Sequence, residues 1–118
     1  MTQYRITDTA LSDIADILKH TQVQFGTGAR VRYQELIRTA IEDLALVPTR
    51  IGSSMRDEVT FGLRSFHLVH SRKRAATANG MVQSPRHIVF YRLAGDQVIE
   101  IVRILHDAME VRLHLPQD

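Results

Sequence analysis

Six side chains in the second half of the sequence are of the types that serve as catalytic groups in RNA cleavage. Cleavage needs a base that deprotonates the 2′-hydroxyl, an acid for the leaving oxygen, and cations that stabilise the charged phosphorane. Histidine, tyrosine and arginine can fill these roles, and they recur along segments expected to form strands: Arg64, His67, His87, Tyr91, Arg103 and His106. A ribonuclease would draw its catalytic set from five of them: Arg64, His87, Tyr91, Arg103 and His106.

The spacing of these side chains does not by itself gather them at one point. Successive residues of a strand point to opposite faces of a sheet, so His87 and Tyr91 are predicted to share one face and Arg86 and Arg92 the other. The C-terminal stretch "HDAMEVRLHLP" holds two acids and no aromatic residue. Acids repel a phosphate backbone, so this composition counts against RNA cleavage as the function.

Histidine is also the commonest metal ligand, and the chain has six histidines and no cysteine. His67 and His70 are three residues apart, which on a strand sends them to opposite faces. His106 and His114 have no carboxylate at the spacing of a ligand pair. The sequence therefore predicts no metal site and no organic cofactor, with most histidines hydrogen-bonded to backbone.

Two amphipathic helices are predicted after a short strand at residues 3–6. Thr7 is typical of a helix N-cap, apolar residues then recur with a period close to 3.6, and Gly26 ends the first helix. A second apolar stripe runs through residues 27–48, where Pro48 terminates it. A link of only three residues, "GTG", indicates that the helices fold back as an antiparallel hairpin.

Three strands are predicted in the rest of the chain. Turn-forming residues without a clear period indicate a loop at 48–60, and Asn79-Gly80 is the expected tip of the first connection between strands. The strands themselves are β-branched and aromatic, and they occupy residues 61–70, 86–93 and 98–105. The order β-α-α-β-β-β predicts one α+β domain, residues 1–118, in which the helical hairpin covers one face of a small antiparallel sheet and a short C-terminal extension follows.

Burial in the sheet explains the composition of the last strand but not that of the C-terminal extension. Alternation predicts that Ile99, Ile101, Arg103 and Leu105 share one face. Arg103 is expected either to pair with an aspartate or glutamate or to reach the open face of the sheet. Burial does not explain "HDAMEVRLHLP", although two of its residues, Leu113 and Leu115, are expected to pack back over the sheet.

Basic residues are concentrated in the middle of the chain. Residues 59–95 hold six basic and no acidic side chains, whereas the net charge of the chain is only +2. Such a segment attracts an acidic surface or a nucleic-acid backbone, or it is a solvated loop. With no basic leader and no apolar run long enough to span a membrane, we expect a cytoplasmic protein without membrane contact.

Several segments of this sequence, in the order in which they occur, resemble the ParE branch of the RelE/ParE toxins of bacterial toxin-antitoxin pairs. The opening "YRITDTALSDIADI" resembles the tyrosine strand, turn and first helix of the family, and "GLRSF" resembles its Gly-x-Arg strand start. The segments most specific to the family are "HIVFYRL" and "VIEIVRILHDAMEVRLHL". The basic segment at 70–85 departs from the family, whose members more often have a tight turn there.

The resemblance implies a toxin that inhibits DNA gyrase when free and is neutralised in a hetero-oligomer by a ParD-like antitoxin of the ribbon-helix-helix type. Operator DNA would be bound only through that complex. The protein would then be an inhibitor and not an enzyme. Two alternatives remain open: a RelE-like, ribosome-dependent mRNA endonuclease, and a relative that has lost toxicity and only binds antitoxin.

Both expected partners need exposed surfaces. Target contacts are predicted at the end of the last strand and just beyond it: Arg103, His106, Met109 and Glu110. An antitoxin helix in the groove beside the helical pair, followed by an arm that adds to a sheet edge, would cover apolar surface. The candidates to line that groove, each of which could equally belong to the core of the domain itself, are Leu18, Phe25, Tyr33, Ile37 and Ile41.

Overall fold

The computed structural model describes residues 3–109 and 114–115, and this part of the chain forms two helices packed on one sheet of five strands. The α+β class predicted from the sequence is therefore confirmed. The elements are β1 (Gln3–Ile6), α1 (Asp8–Phe25), α2 (Thr27–Leu46), β2 (Ser53–Met55), β3 (Leu63–His67), a short 3₁₀ helix (Leu68–Ser71), β4 (His87–Leu93) and β5 (Val98–His106).

The helical hairpin begins and turns at the predicted residues. Thr7 is the N-cap of α1, and its hydroxyl oxygen accepts a hydrogen bond from the Ala10 amide at 3.1 Å. Gly26 alone separates the helices, because Thr27 already belongs to α2. Its φ of 94° lies in the region that glycine adopts without strain, so the chain reverses within one residue. Neither helix is long and apolar enough to span a bilayer.

The sheet is mixed, and in this it differs from the antiparallel sheet predicted from the sequence. The strand order is β1-β5-β4-β3-β2, and β1 runs parallel to β5 while the other neighbours are antiparallel. The reason is connectivity: the helical pair, and not a tight turn, follows β1, so its direction is not set by a hairpin.

The connections between strands also hold more structure than predicted. Residues 48–60 contain β2, whose three residues are too short to show a period and which forms by pairing with β3. The strand predicted at 61–70 is shorter, because a 3₁₀ helix begins at Leu68. Asn79 lies in a tight turn closed by backbone hydrogen bonds between Thr77 and Gly80, inside a long connection and not at the tip of a strand hairpin.

A β-bulge in β5 inverts its alternation. Phe90 pairs with Arg103 and Tyr91 with Ile101, so Val102 is an extra residue. Before the bulge, Ile99 and Ile101 face the helices; after it Ile104 does, whereas Leu105 lies with Val102 on the opposite face. The prediction that Leu105 shares a face with Ile99 and Ile101 is wrong for this reason.

Two apolar clusters hold the layers together. The first lies between helices and sheet, where Leu36, Leu44 and Phe66 are almost fully buried, each contributing about 1.5–3 kcal/mol to folding. The second, on the other face of the sheet, centres on Phe90 and includes Leu115. The predicted packing of Leu115 onto the sheet is confirmed, and Leu113 lies outside the described residues.

Candidate functional site

A cleft of about 720 Å³ opens where the turn between the helices meets the segment that leads into β4 and the end of β5. We call it the histidine cleft. Its walls combine three histidines and two arginines with apolar side chains. The residues that line it are His20, Thr21, Phe25, Ala29, Arg32, Tyr33, Met81, Val82, Gln83, Ser84, Arg86, His87 and His106.

Tyr33 and His87 form the inner polar contact of the cleft. The Tyr33 hydroxyl lies 2.5 Å from Nδ1 of His87 and accepts a hydrogen bond from the Arg86 amide at 3.2 Å. Burial raises the pKa of Tyr33 to about 12, so the hydroxyl keeps its proton and donates a hydrogen bond to Nδ1 of His87. Burial and the neighbouring His106 lower the pKa of His87 to about 4, so its ring is neutral at pH 7.

His106 is the outer histidine of the cleft. Its ring meets that of His87 edge to face, with 5.4 Å between centroids. Its Nδ1 accepts a hydrogen bond from the Ala108 amide at 3.1 Å. Because the ring lies at the last position of β5, directly opposite His87, the pairing of the two strands brings both histidines together.

Asp107 organises the side of the cleft behind these rings. Its carboxylate accepts hydrogen bonds from the Arg86 guanidinium, the shortest 2.9 Å, and from Nε2 of His67 at 3.1 Å. The hydrogen bonds from these two partners, Arg86 first and then His67, hold the pKa of Asp107 well below its usual range. Nδ1 of His67 accepts from the Val69 amide at 3.0 Å, so both ring nitrogens of His67 are occupied and neither is left to act as a base.

Arg103 pairs with an acid, which is the first of the two alternatives that the sequence left open for it. Its Nε and Nη2 donate to the two carboxylate oxygens of Asp13 at 2.8 and 2.9 Å. The same carboxylate accepts from the Ile104 amide, and Nη1 of Arg103 donates to the carbonyl of His114. Arg103 therefore joins α1, β5 and the C-terminal segment, away from the histidine cleft.

Tyr91 and Arg64 lie at a third place. Tyr91 is fully buried, and its hydroxyl contacts the hydroxyl of Ser53 and the carbonyl of Pro48. Arg64 donates from Nε to the same Ser53 hydroxyl at 2.8 Å. Although Tyr91 shares a face of β4 with His87, as predicted, the four-residue separation places them about 13 Å apart along the strand.

The five ribonuclease candidates are therefore divided among three places. His87 and His106 line the histidine cleft, Arg64 and Tyr91 lie beside β2, and Arg103 is paired with Asp13. Within residues 3–109 and 114–115 no group of three histidines, aspartates or glutamates is placed to hold a metal ion.

The predicted target contacts separate in the same way. β5 ends at His106, and a hydrogen bond from the Met109 amide to the His106 carbonyl turns the chain. Met109 is 45% exposed on that turn, whereas Arg103 is largely covered. Glu110 lies outside the described residues.

Most residues predicted for the antitoxin groove are in the core. Leu18, Tyr33, Ile37 and Ile41 are each less than 9% exposed, with Tyr33 reaching the cleft through its ring and hydroxyl. Phe25, at the end of α1, is 74% exposed and forms the rim of the cleft. Of this set, Phe25 is the side chain most available to a partner.

The sequence missed the role of the basic segment as a wall of the cleft. Asp43 of α2 is buried, and its carboxylate accepts from the Ser71 hydroxyl at 2.7 Å and lies 2.8 Å from Nε of Arg74 and 3.6 Å from Arg50. This network fixes the start of the segment that later supplies Met81 and Val82 to the cleft. The excess of basic residues at 59–95 indicated that this region needs an acidic partner. That partner, Asp43, lies in α2, far away in the sequence.

The match to known families decides what kind of protein carries this site. Residues 4–111 match the family described as the ParE toxin of the type II toxin-antitoxin system parDE. The chain belongs to the ParE toxin family. The match runs from β1 past the end of β5, so it includes every element that builds the histidine cleft. The resemblance noted in the sequence is thereby confirmed.

Curated ParE relatives match over nearly their whole length. Toxin ParE1 of Caulobacter vibrioides is 30% identical over 115 residues, 98% of this chain and 99% of the relative. Toxin ParE1 of Mycobacterium tuberculosis is 26% identical over 113 residues, 96% and 97% of the two chains. The chain is thus a toxin of a type II toxin-antitoxin system.

Solved structures share the ParE fold. A chain of the chromosomal ParDE toxin-antitoxin system from P. aeruginosa superposes with a TM-score of 0.65 at 19% identity, covering 90% of this chain and 96% of that one. A chain of the toxin-antitoxin complex RelBE2 from Mycobacterium tuberculosis gives 0.51 at 19% identity, covering 89% and 96%. At such identities the superpositions establish the fold alone.

Proposed function

We propose that this ParE-family toxin acts in the cytoplasm by binding and inhibiting DNA gyrase, and that a ParD-like antitoxin of the ribbon-helix-helix type neutralises it. The toxin would act as an inhibitor that makes and breaks no covalent bond.

The observation that carries the proposal is the division of the five ribonuclease candidates, Arg64, His87, Tyr91, Arg103 and His106, among three places. A base, an acid and a cation must converge on one phosphate, within hydrogen-bond reach of the reacting atoms. Here Arg103 is held by Asp13, Arg86 by Asp107, and both ring nitrogens of His67 are occupied. This arrangement favours recognition over hydrolysis.

The turn at the end of β5 is the surface that we assign to the target. Met109 is exposed there, and large exposed side chains of this type anchor protein interfaces. The turn is held by the Arg86–Asp107 pair and by the hydrogen bond between the Asp107 amide and the Arg86 carbonyl. A fixed turn presents its side chains with little loss of conformational entropy on binding.

The antitoxin surface is assigned to the histidine cleft and its apolar rim. Phe25 is 74% exposed at the end of α1, an unusual exposure for a large aromatic side chain, and it borders the cleft. An amphipathic antitoxin helix laid against it would cover this surface. The hetero-oligomer, and not the toxin alone, would bind operator DNA.

Two assays with purified toxin test the proposal. The first measures supercoiling of relaxed plasmid by gyrase, and the second measures cleavage of mRNA on translating ribosomes. We expect supercoiling to stop while the mRNA stays intact. The antitoxin produced from the same operon should restore supercoiling when it is added in equal amount.

Each other result points to one of the alternatives. Cut mRNA with normal supercoiling would make the chain an endonuclease of the RelE type. Unchanged supercoiling and intact mRNA, with tight binding of the antitoxin, would identify a relative that has lost toxicity.

A further inference from the structure

The hydrogen bonds of the two histidines at the centre of the cleft fix which nitrogen carries the proton. Nδ1 of His87 accepts from Tyr33, and Nδ1 of His106 accepts from the Ala108 amide. In a neutral imidazole the other nitrogen must then be protonated. Each ring, in its neutral form, therefore carries its proton on Nε2, and this N–H is the donor that it can offer.

The cationic side chains of the cleft reinforce this preference for an acceptor. Arg32 and Arg86 line it together with His20, and among the described lining residues none is an aspartate or a glutamate. Within the described part of the chain, the Arg32 guanidinium contacts the carbonyl of Asn79 at 3.5 Å and no carboxylate. The polar groups of the cleft are thus suited to a negatively charged oxygen.

The charge of the cleft suits a single anion better than a polyanion. Arg86 is already paired with the Asp107 carboxylate, which lies directly behind the cleft and would repel a run of phosphates. The remaining walls are apolar: Phe25, Ala29, Met81 and Val82. A carboxylate on an otherwise apolar surface meets both requirements.

We propose that the histidine cleft receives an aspartate or glutamate side chain of the antitoxin, carried on an amphipathic segment whose apolar residues cover Phe25 and Met81. The inference rests on the proposed function, since it names the group by which the partner is held. His87, His106 and Arg32 supply the donors, and Tyr33 and Asp107 keep His87 and Arg86 in place. A carboxylate so bound makes charge-assisted hydrogen bonds in a partly desolvated site.

The first test compares antitoxin affinity among toxin variants, using the complex expressed from its native operon. Arg32→Gln removes the positive charge and His106→Phe removes the ring donor, and we expect the dissociation constant to rise about tenfold for each. Arg30→Gln is the matched control, because Arg30 is exposed on the same helix outside the cleft lining; its affinity should stay within about twofold of wild type. Thermal unfolding of each variant toxin checks that the fold is retained.

The second test uses the toxin alone and a small probe. We expect 4-phenylbutyrate to shift the Hε1 resonances of His87 and His106 in a saturable way, while 4-phenylbutanol, which has the same apolar body without the charge, does not. The Arg32→Gln variant should lose most of this response, and Arg30→Gln should keep it.

The outcomes separate failure of this inference from failure of the proposed function. If the operon yields no complex, the antitoxin partner is wrong and the inference falls with it. If a complex forms and both cleft variants bind as tightly as wild type, only the assignment of the cleft is overturned. If the dinucleotide UpA binds and displaces 4-phenylbutyrate, the cleft is a nucleic-acid site and the inference is overturned in that direction.

Discussion

The hydroxyl of Tyr33 lies 2.5 Å from Nδ1 of His87, and this contact joins α2 to the first residue of β4. Because Tyr33 also accepts from the Arg86 amide, one hydroxyl fixes both the position and the tautomer of the histidine. His87 in turn supports the ring of His106. The donor character of the cleft therefore depends on a residue of the helical layer.

The low pKa of His87 predicts that the toxin loses stability in mild acid. His87 titrates near pH 4 when folded and near 6.5 when unfolded, so between these values only the unfolded chain takes up the proton. The contribution of the neutral His87 to the free energy of unfolding is fully present above pH 6.5 and is lost as the pH falls towards 4. We expect the free energy of unfolding to drop by about 1 kcal/mol between pH 7 and 5, allowing for partial exposure.

Urea titrations at intervals of half a pH unit would measure this slope. His87→Gln keeps an acceptor for Tyr33 but does not titrate, so it should reduce the slope. Burial lowers the pKa of His70 as well, so that histidine contributes with the same sign, and His70→Gln should remove a further part. Asp107 and Glu100, whose pKa values are lowered, act below this window. A wild-type stability that is flat from pH 7 to 5 would contradict the burial of a neutral His87.

Arg103 and Asp13 are predicted to act as one unit. Their two hydrogen bonds anchor α1 to β5, and Arg103 also binds the carbonyl of His114. We expect Arg103→Gln and Asp13→Asn each to lower the free energy of unfolding by about 2 kcal/mol, and the double variant to cost about 1 kcal/mol less than their sum. Chemical denaturation of the four proteins measures this coupling.

The same variants test whether Arg103 touches the target. If its role is to position the C-terminal segment, Asp13→Asn should weaken gyrase inhibition along with Arg103→Gln. Inhibition that survives Asp13→Asn but not Arg103→Gln would instead place the guanidinium in the interface.

Gly52 is predicted to tolerate no side chain. Its φ is 100°, and a Cβ at this position would lie 2.8 Å from the ring of His70, which also packs on Phe66. Strain and overlap together should make Gly52→Ala destabilising by about 2–3 kcal/mol. Gly95→Ala is the control, since a Cβ there meets nothing within 4 Å; it should be neutral or slightly stabilising in thermal unfolding. Equal melting temperatures for the two variants would rule out the close approach of His70.

Asp43 is predicted to hold the wall of the histidine cleft in place. Asp43→Asn removes the charge that Ser71 and Arg74 face, and we expect a loss of about 2 kcal/mol in unfolding free energy. Glu42→Gln is the matched control, because Glu42 pairs with Arg38 on the exposed side of α2 and should change stability by less than about 0.5 kcal/mol. Hydrogen exchange should also quicken in residues 71–85 of Asp43→Asn. Unchanged exchange there would separate Asp43 from the cleft wall.

Local patterns predicted the helices and the long strands because the signals lie within each element. The N-cap at Thr7, the turn at Gly26 and the shared face of His87 and Tyr91 are all set by near neighbours. The same patterns gave pairing with an acid as one of two explanations for Arg103, since a cation in an apolar strand must either find a partner or reach solvent.

What the sequence could not predict depends on contacts between distant residues. The bulge at Val102 changes which residues face the helices, and nothing in "IEIVRIL" distinguishes it from a regular strand. The strand β2 exists only by pairing with β3. The cleft requires Tyr33, His87 and His106 to meet from three elements, so composition indicated histidines without indicating where they gather.

Met109 is predicted to be an anchor for the target. It is 45% exposed on the turn after β5, where its side chain makes no contribution to either core cluster. Met109→Ala should therefore leave the melting temperature within about 1 °C of wild type. It should raise the toxin concentration needed for half inhibition of gyrase supercoiling about tenfold, as expected for an interface anchor.

Met55→Ala is the matched control, because Met55 is 67% exposed on β2 at the far edge of the sheet. If both methionine variants inhibit gyrase as well as wild type does, the target surface lies away from this turn; if both weaken it equally, the contact extends to the β2 edge.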